Sequence, residues 1–128
     1  MSAVITAIQA VLGLLLSVGG LLKLTLPYAK YSSLRYVSWA KEFKPAHIRV
    51  IGVLEMSGGV GLAAPLYFHS LTMLAPLAAV GVALYMSGAM AIHLRRSEYL
   101  EMAGILLFFL APALFVAYSF VALWSRSG

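Results

Sequence analysis

Four long apolar runs, parted by charged or turn-forming clusters, set the pattern of this chain. They cover about residues 4–26, 48–67, 71–94 and 99–124. Each approaches the roughly 20 apolar residues that a helix needs to cross a bilayer core. The pattern predicts an all-α protein, a four-transmembrane-helix bundle within a single membrane domain over residues 1–128. In the first run only Thr6, Gln9 and Ser17 interrupt Val4 to Leu22. Nothing basic precedes it, and Lys23 and Pro27 close it, so it reads as a retained helix rather than a signal peptide. Gly13, Gly19 and Gly20 mark a close-packing face. The second and third runs are almost continuous, which predicts a tight hairpin with its tip at His69. Gly81 and Gly88, seven residues apart, predict a second close-packing face. Pro112 falls inside the fourth run and predicts a kink there.

The stretch between the first two runs, residues 28–44, has a different texture. Lys30, Arg35, Lys41, Glu42 and Lys44 alternate with Tyr28, Tyr31, Tyr36, Trp39 and Phe43. Aromatic rings mixed with basic side chains suit the headgroup layer. The expectation is a short interfacial helix, available to a partner protein.

The second run carries the one chemical oddity, Glu55, a carboxylate well inside an apolar segment. Gly52, Glu55 and Gly59 share one helical face. A carboxylate at bilayer depth costs roughly 2.5 kcal/mol or more, so it should face a partner helix or a cavity. Three readings of Glu55 are open: an ion pair with Lys23 or Arg49, an acid or base, or a neutral carboxyl bonded to backbone. Lys23 either snorkels to the headgroups or meets Glu55.

Composition narrows the choices. Hydrophobic residues make up 62% and charged ones 10%, against about a quarter charged in soluble domains. The net charge of +5 therefore marks membrane edges and does not point to nucleic acid. Four spans would put both termini on one side. Of the nine basic residues, only Arg126 would share that side. The positive-inside rule then places the two connecting segments in the cytoplasm and both termini outside. Lys23, Glu55, His93 and Glu101 fall in the same half of the bundle, one from each span. The chain has no cysteine, and its three histidines lack a metal-binding spacing, so no metal is expected.

The segments VLGLLLSVGGLLKL, RVIGVLEMSGGVGL and LAPLAAVGVALYMSGAMAIHLRR, in that order, resemble the DoxX-like small integral membrane proteins. The resemblance covers roughly Val11 to Arg96 and implies a four-helix protein of the bacterial inner membrane. It marks Lys23, Glu55 and His93 as family-like polar positions. Some such proteins are linked to quinone-coupled sulfur oxidation and some to oxidative-stress complexes. The implied role is an accessory or redox-linked membrane subunit, with a quinone as the cofactor to consider. A small membrane enzyme acting on an isoprenoid, quinone or epoxide is the alternative, with Glu55 as acid or base and Lys23 or His93 setting its charge. Arg49, Tyr85 and Glu101 are then ligand-binding candidates. A dimeric small-molecule exporter ranks third. The expected partners are the lipid bilayer, a protein at the cytoplasmic face, a lipophilic small molecule and a second copy of the chain.

Overall fold

The computed structural model of the chain describes residues 3–34, 37–68, 70 and 73–127. Its helices are α1 (Ala3–Thr25), α2 (Tyr28–Ser32), α3 (Pro45–Ala63), α4 (Leu74–Arg95), α5 (Tyr99–Ile105) and α6 (Ala111–Ser127). A 3-10 turn, Ser38–Glu42, lies between α2 and α3, and another, Ala64–Leu66, ends α3. Among the described residues, four stretches are long and apolar enough to cross a membrane: Ala3–Thr25, Pro45–Leu66, Leu74–Arg95 and Tyr99–Ala122. The chain is thus an all-helical four-span bundle, with short helical pieces between the first and second spans. His69, the expected hairpin tip, lies outside the described residues.

The tightest seam joins α1 to α3, and glycine makes it possible. A Cβ at Gly20 would lie 2.7 Å from the Gly52 carbonyl oxygen. A Cβ at Gly59 would lie 2.6 Å from the Ser17 nitrogen and 2.7 Å from the Gly13 oxygen. The two backbones therefore touch, and dispersion between close main chains replaces side-chain bulk. α4 packs on the next face of α3, where Gly58 meets Val82 and Gly61 meets Ala78. The expected role of Gly81 and Gly88 needs correction. A Cβ at either would meet nothing within 4 Å, so neither glycine makes a close backbone contact.

Leu12, Leu16, Leu62, Ala79, Val82, Met86, Ala113 and Val116 form the main core, drawn from all four spans. Gln9 is buried beside it, and its Nε2 donates to the Leu62 carbonyl at 2.7 Å. Pro65 sits in the 3-10 turn there and brings no N–H for the helix. A side-chain amide thus serves the end of α3.

The fourth span changes its winding in the middle. Leu106–Leu110 is π-helical and joins α5 to α6. Pro112 has no N–H for the Phe108 carbonyl four residues before it, so the ordinary ladder cannot run through. The expected kink takes the form of a wider turn, a device often found beside functional sites.

Candidate functional site

One end of the bundle gathers the C-terminal end of α1, the N-terminal end of α3, the C-terminal end of α4 and the start of α5. We call it the connection end. A cavity of about 530 Å³ lies there, bounded by all four spans and by the segment between α2 and α3. Most of its wall is apolar or aromatic, including Ile51, Met86, Ile92, Ile105, Phe108 and Phe109. Gly88 and Gly104 also line it, so the room left by an unmatched glycine becomes part of the cavity.

At its polar end Lys23 Nζ lies 2.5 Å from Glu55 Oε2. Both residues are buried, each 8% exposed. Lys23 therefore turns inward to meet Glu55 and does not snorkel to the headgroups. Tyr85 donates its hydroxyl hydrogen to the same Glu55 oxygen at 3.0 Å. The other carboxylate oxygen lies against Gly19, where a Cβ would collide with it. The ammonium also sits over two rings, 5.5 Å from the centroid of Tyr31 and 5.8 Å from that of Trp39. Such contacts favour a desolvated cation. The Tyr31 hydroxyl has its pKa raised by burial, with Lys23 pulling the other way.

A second polar group closes the floor. His93 is buried, with its ring edge-on to Trp39 at 6.4 Å. Its Nδ1 lies 2.9 Å from Glu98 Oε1, which also accepts from Arg96 Nε at 2.8 Å. Arg96 further reaches Ser38 Oγ at 3.1 Å and Glu42 Oε2 at 3.2 Å. Burial pushes the Glu98 carboxyl up, but the hydrogen bonds from Arg96 and His93 together outweigh it. Its pKa ends below the usual carboxylate value.

The turn holding this network is set by the backbone. Glu98 N–H donates to the His93 carbonyl and Ser97 N–H to the Leu94 carbonyl, the paired bonds of a Schellman cap on α4. Ser97 takes the left-handed position at φ 58°, where glycine is usual. The cap brings Glu98 back over His93.

Five of the six singled-out residues line this cavity: Lys23, Glu55, His93, Tyr85 and Glu101. Arg49 does not. Its guanidinium donates to the Leu24 carbonyl and, at 3.4 Å, to the Lys23 carbonyl, so it caps the end of α1. Sequence reasoning missed Tyr31, Trp39 and Phe43 as wall residues. The connection between the spans turns Tyr31 and Trp39 onto Lys23, and Trp39 onto His93, with Phe43 packed against Trp39. Tyr28 fixes that fold-back: its hydroxyl shares its hydrogen between the carbonyls of Phe43, at 2.7 Å, and Ala40, at 3.1 Å. Among the described residues, no three His, Cys, Asp or Glu side chains converge as metal ligands.

Fold and site together define a small multi-pass membrane protein with a buried ion pair at the head of an apolar cavity. A model of the DoxX-like family matches residues 7–120, and the chain belongs to that family. Neither a curated protein nor a solved structure matches it.

Proposed function

We propose that this DoxX-like protein binds a lipophilic molecule with a flat, oxygen-bearing head, best met by a quinone, as a small redox-linked subunit of the bacterial inner membrane. The observation that carries this reading is the cavity itself: about 530 Å³, aromatic on its sides, with Lys23, Glu55 and Tyr85 at one end. That volume suits a small-molecule site, and a few converging polar groups in an apolar wall are what orient such ligands. Lys23 has three N–H donors and Glu55 takes one, so a ligand oxygen can take another. Trp39, Phe108 and Phe109 supply faces for a flat ring. A bound quinone would supply electron-carrying chemistry. The chain would orient its head at Lys23, exclude water, and keep a carboxylate and a hydroxyl beside it for protons.

The test uses the cavity's own tryptophan. In a Trp124→Phe background, 2-methyl-1,4-naphthoquinone should quench Trp39 saturably. A Trp39→Phe protein, which keeps Trp124, reports quenching by ring dissolved in the micelle. Indistinguishable, unsaturable quenching in both proteins would overturn the reading.

A second reading has one specific observation behind it. Two donors, Lys23 and Tyr85, converge on a single oxygen of Glu55. That arrangement also suits an acid or base in a small enzyme on an isoprenoid or epoxide. Glu55→Gln would then abolish turnover of an isoprenoid or epoxide substrate while sparing its binding.

A further inference from the structure

A second hollow, about 280 Å³, lies between α1 and the π-helical turn. Ala7, Ile8, Val11, Leu12 and Leu15 bound it on α1, and Leu107, Phe108 and Pro112 on the other side. Every one of these side chains is apolar. Phe108 lines both this hollow and the main cavity, so the two are neighbours across one ring. Val11, Leu15, Leu107 and Phe108 are all exposed, so the hollow is a groove on the flank of the bundle facing lipid.

The direction of the groove is informative. Leu15 lies eight residues before Lys23 on α1 and Ala7 sixteen before it. At 1.5 Å per residue the groove spans roughly 12 to 24 Å from the polar end, toward the middle of the membrane and beyond. The π turn forced by Pro112 supplies its far wall.

We propose that this groove holds the isoprenoid or alkyl tail of the molecule whose head sits beside Lys23 and Glu55. The inference rests on the cavity reading above and adds a substrate class to it: ligands with a long apolar chain, not compact ones. Three observations support it. The groove adjoins the cavity at Phe108, its lining has no polar side chain to satisfy, and it leads away from the polar end along the bilayer normal. Chain burial there removes apolar surface from looser lipid contact and, above all, fixes the head's register.

The experiment compares two ligands in three proteins. One ligand is 2-methyl-1,4-naphthoquinone; the other carries a tetraprenyl tail on the same ring. Both are titrated against Trp39 fluorescence in the Trp124→Phe protein, with and without Val11→Phe. Val11 is exposed, so a phenylalanine there fills the groove without entering the core. The tailed ring should bind at least tenfold more tightly than the bare ring. Val11→Phe should cut that gain below threefold and leave the bare ring's affinity unchanged. Comparing one tailed ligand across two proteins cancels its partition into the micelle. Ala7→Phe, at a second exposed position of the groove, should do the same. An equal tail gain in all three proteins would overturn the groove and leave the cavity reading standing. No saturable binding of either ring would overturn both.

Discussion

The two flanks of α1 solve opposite problems. Toward α3 it shows Gly13, Ser17 and Gly20, and the partner answers with Gly52 and Gly59, so main chain meets main chain. Toward the fourth span it shows Val11, Leu12 and Leu15, and the partner answers with a widened turn and Phe108, leaving a groove. Small residues therefore do not make a seam on their own; matching does. Gly52 and Gly59 face glycines of α1 and close a gap. Gly81 and Gly88 face no packed neighbour, and Gly88 leaves room in the cavity wall. The closed seam fixes Lys23 and Glu55 against each other, and the open flank gives a ligand somewhere to lie.

The largest effect should come from breaking the closed flank. Gly59→Leu drives a side chain into the Ser17 nitrogen and the Gly13 oxygen, which are backbone atoms that cannot rotate aside. Overpacking costs about 1–3 kcal/mol where side chains can adjust, and more where they cannot. We expect Gly59→Leu to yield no stable bundle in detergent. Gly81→Leu, placed where nothing lies within 4 Å, should shift the melting temperature little. Similar thermal shifts for the two would break the contrast between matched and unmatched glycines.

The ion pair comes next, because the seam holds it in place. Lys23→Met leaves a buried carboxylate with Tyr85 as its remaining hydrogen-bond donor in the site. Breaking a buried pair by removing one partner costs about 3–5 kcal/mol. Glu55→Gln should cost less, since an unpaired Lys23 still has two rings beneath it and a flexible stem. The double variant should recover much of the loss from Lys23→Met. Thermal unfolding of the four proteins gives the coupling directly, and additive losses would mean that the two charges do not interact.

How much of this could be read from the sequence follows from what each signal depends on. The four spans depend on hydropathy alone and were plain. The inward aim of Glu55 was legible too, because a carboxylate flanked by glycines on one helical face has few places to go. Its pairing with Lys23 was one of several readings, since the sequence does not say which helix lies opposite. That Gly58 and Gly61 pack on α4 was not legible for the same reason: no periodicity tells which helix a small-residue face will meet. Tyr31, Trp39 and Phe43 have the composition of a headgroup belt. Their turn inward depends on Tyr28 bonding to Phe43 and Ala40, a tertiary detail. Pro112 predicted a break, but the π turn and the groove beside it follow from how the fourth span packs.

The smallest effect should lie at the connection end, away from the seam, and should depend on pH. Glu98 accepts from Arg96 and lies against His93, and its pKa falls below its ordinary 4.5. A carboxylate with a lowered folded pKa contributes stability that is fully present above its unfolded value. That contribution is lost as pH falls through the folded value. Glu98→Gln keeps the shape and removes the charge. Wild type should therefore melt above the variant when the pH is well above 4.5, and the gap should close as the pH drops below it. The gap should be modest, because Arg96 and Glu98 are partly exposed and water and salt screen them. High salt should narrow it at neutral pH, while leaving the Lys23–Glu55 coupling, buried in the seam, nearly untouched. A gap that ignores both pH and salt would mean that Glu98 serves the turn by shape rather than by charge. The Schellman bond from its N–H to His93 would then be what holds the cavity floor.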